Sequence, residues 1–263
     1  MFDWLRRKVG VVQEETDGPL PHERIYAVGD IHGRHDLLLR MVERIRTDID
    51  RLEDPDRPVR LIFLGDYIDR GDQSREVVEE LRKLCDDATR DDNPVGLTCL
   101  MGNHEDALLG FIEDPVVGRR WLQFGGLQTL ASYRVRVAGP QSDHKALKDT
   151  ASALAEAMGE DLPFLRSLPK IHRSGPVVFA HAGLDPEDPE AEDNGAVLWG
   201  QSSFIERGGI EGMRVVHGHY DALQPVLTRR RICVDTGAYY SGRLTAVRMD
   251  DDVEVIEVGA TGR

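Results

Sequence analysis

The chain has 263 residues, a length that suits one sizeable domain with a buried core. Hydrophobic residues make up 40% and charged residues 30%, the balance of an ordinary soluble globular protein. The formal net charge of -14 argues against a broad basic surface, so nucleic acid is a disfavoured partner, and phosphate binding would need a local positive cluster such as bound metal.

Residues 1–21 are predicted to form an N-terminal tail, and residues 22–263 one folded domain. The first residues, MFDWLRRKVGVV, carry positive charge, but their apolar run is too short for a signal peptide or a membrane span. Cys85, Cys99 and Cys233 are scattered without CxxC spacing, which favours reduced thiols over a disulfide framework or a zinc ribbon. We therefore expect a cytoplasmic protein without a membrane partner; the composition leaves the oligomeric state open.

Three apolar strands are predicted in the first part of the domain, at IYAVGD, VRLIFLGD and VGLTCLMGN. They begin at Ile25, Val59 and Val95. Apolar residues at helical spacing occupy 36–52 and the interval after the second strand. This βαβαβ order predicts an α/β fold with a mostly parallel, buried sheet.

The alternation of strands and helices stops at about residue 105. Residues 105–173 show helical spacing and no convincing strand, so we predict a helical insertion there. Strands resume at VVFAHAG, MRVVHGHY, RRICVDTG, RLTAVRMD and VEVIEVG, and the short turns between them indicate a meander at the end of the chain.

Five of the predicted strands end in polar residues that can bind metal or titrate. They lie in GDIHG, GDYIDRG, GNHE, HAG and HGH, and they are Asp30, His32, Asp66, Asn103, His104, His181 and His219. Ligands of open α/β sheets bind outside the carboxyl ends of the strands, so these side chains should converge. The flanking glycines are typical of backbone that bends sharply beside an ion or a phosphate.

The converging side chains indicate a site for metal. Three imidazoles, two carboxylates and one amide, without a thiolate, favour Mn²⁺, Fe, Zn²⁺ or Mg²⁺ over soft metals. Six protein ligands are too many for one ion that keeps positions open for substrate. They suit two divalent ions about 3.5–4 Å apart, bridged by a carboxylate.

In this order the motifs resemble the phosphoprotein phosphatase branch of the calcineurin-like metallophosphoesterases, and bacterial serine/threonine protein phosphatases in particular. The resemblance runs from about residue 25 to about residue 258. It implies two mixed β-sheets sandwiched between helices, with residues 22–263 as the catalytic domain. The helical insertion at about 105–173, which we infer from the strand pattern, is expected to lie over the site.

The resemblance also implies how the metals are held. Asp30 and His32 would bind the first metal, and Asp66 would bridge to the second. The remaining ligands of the second metal would be Asn103, His181 and His219. Mn²⁺ is the expected ion, with Fe, Zn²⁺ or Mg²⁺ as alternatives.

Three further roles follow from the resemblance. His104 would be the general acid, oriented by Asp69, and Arg70 would grip the substrate phosphate. The chemistry agrees, because a serine-like leaving alkoxide is too basic to depart unprotonated. An imidazolium paired with a carboxylate can supply that proton.

Two positions depart from the family pattern. Met101 stands where many members have Arg before GNHE, and Gln201 stands where some bacterial members have Arg in the late loop. These departures concern residues that would contact the substrate, and they leave the metal ligands unchanged. Further candidates for substrate binding are Arg34, Arg207, Arg243 and Tyr240.

Simpler interpretations exist for single residues. Asp66 could cap a helix, and Asp69 with Arg70 could be a surface ion pair of little energetic value. A lone histidine after an apolar run, such as His181, is more often a core residue. The order of the motifs favours the functional interpretation. Trp121, in WLQFGGLQTLASY, is predicted to be a core residue.

The function that we predict is hydrolysis of phosphate monoesters, with phosphorylated protein or a small phosphoester as substrate. The alternative is a dinucleoside polyphosphate hydrolase of the diadenosine tetraphosphate type. Symmetrical hydrolases of that type tend to lack the second Asp of GDxxDRG, and this chain has Asp69 there. A third hypothesis is a non-catalytic scaffold, which is disfavoured because such relatives usually lose metal ligands.

Overall fold

The structure is a computed structural model, and it describes residues 17–52, 54, 57–90, 94–137, 139, 143–193 and 195–259. The predictions for residues 1–16 of the tail lie outside these residues. In chain order, the strands are β1 (Arg24–Val28), β2 (Val59–Phe63), β3 (Val95–Cys99), β4 (Ile171–Ser174), β5 (Val177–Ala180), β6 (Arg214–His217), β7 (Val226–Leu227), β8 (Arg231–Cys233), β9 (Arg243–Met249) and β10 (Val253–Gly259).

The helices lie between these strands. In chain order they are α1 (His35–Ile49), α2 (Ser74–Ala88), α3 (Asn103–Glu113), α4 (Gly126–Ser132), α5 (His144–Met158), α6 (Asp161–Arg166), α7 (Ala196–Trp199), α8 (Ser202–Glu206) and α9 (Ala238–Ser241). A 3-10 helix, Gly118–Gln123, precedes α4. Within the described part of the chain, no helix combines the length and apolar character needed to cross a lipid bilayer.

The first sheet has the strand order β10-β9-β1-β2-β3. Strands β1, β2 and β3 are parallel, and β9 pairs antiparallel with β1 and with β10. Helices α1 and α2 connect the parallel strands, as the sequence predicts. The carboxyl ends of the three parallel strands therefore lie along one edge of the sheet.

The second sheet has the order β4-β5-β6-β8-β7, with β5, β6 and β8 parallel and antiparallel strands at both edges. Strand β4 begins at Ile171, within the segment 105–173 in which we predicted no strand, so that prediction is wrong for its last three residues. The terminal meander is confirmed only for β9 and β10, because β8 belongs to the other sheet. The edge strands β4 and β7 have four and two residues, too few for a readable alternation.

The alternation of side chains along the strands produces the layers. Ile25 and Ala27 pack with Phe179 of the second sheet, whereas Tyr26 and Val28 face the core that contains α1 and α2. The two sheets thus lie face to face with helices outside them. The predicted fold class, two mixed sheets between helices, is confirmed.

A buried ion cluster lies at the amino end of β1, away from the strand ends that carry the motifs. Nε of Arg24 donates to Oδ2 of Asp250 at 3.0 Å, and Nε of Arg248 lies 3.4 Å from the same oxygen. Burial disfavours the charge on Asp250, but Arg24, the N–H of Asp251 and Arg248 outweigh it, so the pKa of Asp250 is below its ordinary value. The cluster joins β1 to the turn between β9 and β10.

We expect Asp250→Asn to lower the free energy of unfolding by about 1.5–3 kcal/mol at neutral pH, because two guanidinium groups lose a charged acceptor. The folded-state pKa is lower than the ordinary 3.8, so this stabilisation is complete above 3.8 and is lost as the pH falls through the lower folded value. Urea unfolding should show that the difference in unfolding free energy between wild type and variant becomes smaller as the pH falls below 3.8. A deficit that is independent of pH, or one matched by the exposed Asp251→Asn, would contradict the ionic role.

Candidate metal centre and active site

The predicted metal ligands lie at the carboxyl ends of β1, β2, β3, β5 and β6. They are Asp30, His32, Asp66, Asn103, His181 and His219, and all except His219 are buried. Two groups of possible metal ligands have their donor atoms within 4.8 Å of one another: His32, Asp66 and His104 in one, and Asp66, His181 and His219 in the other. Asp66 belongs to both groups, which is the place expected for a bridging ligand.

The backbone at the site adopts conformations that non-glycine residues rarely take. His32, Asp66, Asp69, Arg70 and His219 have φ values of 46°, 54°, 70°, 67° and 64°. Such conformations cost on the order of 1–3 kcal/mol each and persist where the surroundings enforce them. One restraint is visible between two loops, because the N–H of His32 donates to the carbonyl of Asp66 at 2.9 Å.

The first part of the cluster is centred on the imidazole of His32. Its Nδ1 lies 2.8 Å from the carbonyl of Ile68, which only accepts, so Nδ1 carries the proton and Nε2 presents a lone pair. Nε2 lies 3.5 Å from Oδ2 of Asp66 and accepts from Nη1 of Arg70 at 3.0 Å. Burial lowers the pKa of His32 to about 3, which keeps the imidazole neutral, the form that ligates metal.

The second part of the cluster brings side-chain nitrogen and oxygen atoms of Asp66, Asn103, His181 and His219 close together. Nδ1 of His181 donates to the carbonyl of Leu64 at 3.0 Å, so its Nε2 presents a lone pair to Oδ1 of Asn103 at 2.8 Å. Oδ1 of Asp66 lies 3.4 Å from the same Nε2. Nδ1 of His219 lies 2.9 Å from Oδ1 of Asn103. At least two lone pairs therefore face each other without a proton between them.

Asp30 completes the cluster beside the loop after β6. Both of its oxygens accept from the N–H of His219, at 3.2 and 3.3 Å. A Cβ at Gly218 would lie 1.9 Å from Oδ1 of Asp30, so only glycine allows the backbone of residue 218 to lie this close to the carboxylate of Asp30. Burial and the carboxylates of Asp235 and Asp66 raise the pKa of Asp30 well above its ordinary value.

These donors fit divalent metal. Neutral imidazoles, carboxylates and an amide oxygen suit hard to borderline cations. Lone pairs in contact repel unless positive charge lies between them, and a cation would also offset the buried carboxylates. Burial disfavours the charge on Asp66, but His181, His104 and His32 outweigh it, so the pKa of Asp66 lies well below its usual range.

His104 and Asp69 form a buried pair next to the cluster. Nδ1 of His104 donates to Oδ2 of Asp69 at 2.6 Å, and its Nε2 lies 3.9 Å from Oδ2 of Asp66. Burial disfavours the imidazolium, but the carboxylates of Asp66 and Asp69 outweigh burial and raise the pKa of His104. Nε2 of His104 thus faces the centre, while Nδ1 is held by its hydrogen bond to Asp69.

The two adjacent tyrosines of DTGAYYSG lie differently from our expectation. The ring of Tyr239 lies 5.5 Å from that of His32 and 5.1 Å from Cζ of Arg70. The hydroxyl of Tyr240 instead donates to Asp221 at 2.7 Å, and Tyr240 is half exposed to solvent. The structure therefore places Tyr239, and not Tyr240, against the site.

The other predicted substrate contacts have partners of their own. Arg34 donates to both oxygens of Asp36 at 2.8 Å and to the carbonyl of Ala238 at 2.9 Å, so it fixes the start of α9. Arg207 pairs with Glu187 on the surface. The structure thus brings Arg70 into the cluster and gives Arg34 and Arg207 contacts elsewhere.

Glu105 is a residue of the site to which sequence reasoning gave no role. Its Oε2 accepts from the N–H groups of Asp66 at 2.9 Å and Gly102 at 3.0 Å, and its Oε1 accepts from those of Tyr67 at 2.8 Å and Ile68 at 3.3 Å. Burial and the carboxylate of Asp66 raise the pKa of Glu105, and these donors oppose that shift. Glu105 is the third residue of α3, where Glu commonly accepts from backbone N–H groups before the helix, and this position is the signal that could have identified it.

Trp121 is buried as predicted, at 1% exposure, but it also donates from Nε1 to Oδ2 of Asp69 at 2.8 Å. The hydroxyl of Thr129 donates to Oδ1 of Asp69 at 2.6 Å. Apolar spacing predicts burial and cannot reveal either hydrogen bond.

We expect Glu105→Gln to loosen the loop that carries Asp66. An amide NH₂ would replace one acceptor oxygen opposite backbone N–H groups, which should cost roughly 1.5–3 kcal/mol of unfolding free energy. Metal affinity should fall as well, since the backbone of Asp66 loses a restraint. Urea unfolding and metal titration would measure both changes. Glu113→Gln, at the exposed end of the same helix, is the matched control, and equal effects of the two changes would refute the assignment.

Comparisons with known proteins agree with this geometry. A model of the calcineurin-like phosphoesterase family matches residues 23–220. A symmetrical bis(5'-nucleosyl)-tetraphosphatase of Methylococcus capsulatus is 24% identical and covers 88% of this chain and 93% of its own. The asymmetrical bis(5'-nucleosyl)-tetraphosphatase PrpE of a Geobacillus species is 28% identical, over 89% of this chain and 94% of its own.

Solved structures show the same fold. A structure provisionally described as a diadenosine tetraphosphatase has a TM-score of 0.58 at 21% identity and covers 92% of this chain and 96% of its own. A cold-active protein-tyrosine phosphatase of a Shewanella species has a TM-score of 0.55 at 18% identity, over 92% and 84%. The family match spans every strand-end residue of the cluster, and the chain therefore belongs to the calcineurin-like phosphoesterase family and is a metallophosphoesterase.

Proposed function

We propose that this metallophosphoesterase hydrolyses phosphate monoesters, with phosphoserine and phosphothreonine in proteins as the preferred class. The observation that carries the proposal is the buried hydrogen bond of 2.6 Å between His104 and Asp69. A positioned imidazolium is valuable only when the leaving oxygen needs a proton, as the alkoxide of serine does. The same pair accelerates the reaction less when the leaving group is weakly basic, because such a group departs without a proton.

Six side chains would hold two divalent cations. Asp30 and His32 would bind the first, Asp66 would bridge, and the second would take Asn103, His181 and His219. Mn²⁺ is the proposed ion, with Fe, Zn²⁺ or Mg²⁺ as alternatives that the donor set also suits. Bound there, the cations would supply a water of lowered pKa and neutralise phosphoryl charge.

His104 would act as the general acid. Its Nδ1 is held by Asp69, so the proton to be transferred lies on Nε2, the nitrogen that faces the centre. As the bond from phosphorus to the leaving oxygen breaks, that oxygen takes the proton from Nε2 and leaves as an alcohol. The carboxylates of Asp66 and Asp69 favour the protonated imidazole before the step.

Arg70 would bind the phosphoryl oxygens. Its guanidinium lies beside His32 and over the ring of Tyr239, at the edge of the cluster. A planar guanidinium binds phosphate oxygens with two parallel hydrogen bonds and stabilises charge that develops on them.

A second candidate is hydrolysis of dinucleoside polyphosphates, the class named for the relatives from Methylococcus and Geobacillus. An exposed aromatic ring beside the site favours it. Tyr239 is 38% exposed, and its ring lies 5.5 Å from that of His32. Such a ring can stack on a nucleobase. A nucleotide leaving group is weakly basic, so it would make little use of His104.

We expect chelation to abolish activity and Mn²⁺ to restore it. Thermal stability should rise as metal is added, because the ions bind the folded state. Asp66→Asn should lower metal content and rate together, since one change damages both sites, whereas the exposed Asp72→Asn should change neither. If elemental analysis and titration find no divalent ion, the metal proposal is wrong; full metal content and near-normal turnover in Asp66→Asn would refute the bridge.

We expect His104→Asn to lower kcat on a phosphoserine peptide by about 10²–10⁴-fold, the usual contribution of a general acid. The loss on p-nitrophenyl phosphate should be far smaller, because its phenolate leaves readily, and metal content should stay normal. Asp69→Asn should show the same pattern in milder form. The exposed His144→Asn is the control.

Diadenosine tetraphosphate assayed in parallel separates the two candidates. Higher kcat/KM on the phosphopeptide, with strong dependence on His104, supports the monoester proposal. Higher kcat/KM on the dinucleotide, with equal and small losses in His104→Asn on every substrate, would favour the second candidate and remove His104 from the acid role.

A further inference from the structure

The carboxylate of Asp69 accepts hydrogen bonds from more groups than the one imidazole that it would orient. Oδ2 accepts from Nδ1 of His104 at 2.6 Å and from Nε1 of Trp121 at 2.8 Å, and Oδ1 accepts from the hydroxyl of Thr129 at 2.6 Å. The backbone N–H of Asp69 lies 3.0 Å from the hydroxyl oxygens of Ser74 and Thr129. Asp69 is fully buried, so its orientation is set by these partners.

Two of these donors come from the helical insertion. Trp121 lies in the 3-10 helix Gly118–Gln123, and Thr129 lies in α4. Between them, Gly125 has a φ of 113°, and a Cβ there would lie 2.4 Å from the backbone N of Arg70 and 2.9 Å from Cβ of Asp69. The insertion therefore packs directly on the Asp69–Arg70 backbone, at a distance that only glycine permits.

We propose that Trp121 and Thr129 are positioning residues for phosphoester hydrolysis, which act by fixing the carboxylate of Asp69 and through it the ring of His104. This inference rests on the proposed role of His104 as general acid. Thr129 holds Oδ1 of Asp69 and Trp121 takes one lone pair of Oδ2, so the carboxylate is fixed and the other lone pair of Oδ2 receives Nδ1 of His104. The direction of this hydrogen bond determines where Nε2 points and how closely it can approach the leaving oxygen.

The competing interpretation is that Trp121 only fills the core. Its ring lies 5.1 Å from the ring of Phe111 and is 1% exposed, so packing is part of its role. Removal of the N–H without removal of the ring separates the two roles. A side chain that serves packing alone would not make a rate depend on the basicity of the leaving group.

The test uses Trp121→Phe, which keeps an aromatic ring, and Thr129→Val, which keeps the shape of threonine. We expect each to lower kcat on a phosphoserine peptide by about tenfold, a fraction of what the general acid supplies, with little change in KM. On p-nitrophenyl phosphate kcat should change by less than about twofold, because that leaving group needs no proton. Thr129→Ser should restore kcat on the peptide, and metal content should stay normal in every variant.

Matched controls remove buried hydroxyls of the same insertion that do not touch Asp69. Tyr133→Phe removes the donor to Asp161, and Thr150→Val removes the donor to the carbonyl of Ala146. These variants should leave the ratio of the two rates unchanged whatever they do to thermal stability. If Trp121→Phe does not fold, Thr129→Val and its serine rescue decide the question.

A double variant tests whether the effect passes through His104. In the His104→Asn background, Trp121→Phe and Thr129→Val should cause no additional loss on the peptide, because residues that act through one group are not additive. Additive losses, equal losses on both substrates, or the same pattern in Tyr133→Phe would overturn the proposal. If His104→Asn itself shows no dependence on the leaving group, the general-acid proposal fails and this inference with it. If His104→Asn shows that dependence and the insertion variants do not, only the positioning role fails.

Discussion

The site depends on one electrostatic constraint, which is that several lone pairs point into the same small buried volume. Oδ1 of Asn103 lies 2.8 Å from Nε2 of His181, and Asp66 faces both that imidazole and His32. The N–H group of each ring already donates to a neighbouring backbone carbonyl. Neither imidazole can therefore donate a hydrogen bond to the oxygen atoms of Asn103 or Asp66. Left-handed backbone at His32 and Asp66 adds a further cost. The β-sandwich core must supply the stability that keeps these loops in place, and a cation bound at the centre would remove the repulsion.

Two buried carboxylates next to the centre accept hydrogen bonds from different kinds of donor, one from the backbone and the other from side chains. Glu105 accepts from four backbone N–H groups, so it holds the loop of Asp66 through the main chain. Asp69 accepts from three side chains, two of which belong to the insertion. The loop of Asp66 therefore depends on a carboxylate in the first turn of α3, whereas the orientation of the His104 ring depends on Trp121 and Thr129, further along the chain. If His104 is the general acid that we propose, substitutions at Trp121 and Thr129 would alter proton donation while leaving the proposed metal ligands where they are.

Much of the fold and of the cluster was predictable because both follow from local patterns. Buried parallel strands are apolar runs, and a polar residue at the end of such a run must lie at the carboxyl edge of the sheet. Strands β4 and β7 were missed because short edge strands carry little alternation. Helix α9 begins after Gly237, which has a left-handed conformation, and this start determines which of the two adjacent tyrosines lies against His32. The spacing of residues in the sequence does not predict where such a short helix begins. The hydrogen bond of Trp121 was missed for a related reason, since burial and polar contact give the same apolar pattern.

Phosphate recognition by this chain must be local, because a net charge of -14 gives no attraction from a distance. Arg70 is the guanidinium at the centre, and it is held between Nε2 of His32 and the ring of Tyr239. The ring of Tyr239 would keep the guanidinium partly ordered when a cation is bound, which limits the side-chain entropy lost on binding a phosphoryl oxygen. Nε2 of His32 has one lone pair, which cannot serve Arg70 and a cation at once. Ligation of a cation by His32 would therefore release Nη1 of Arg70, and the proposed donor for phosphate would become available in the same state in which the centre is positively charged.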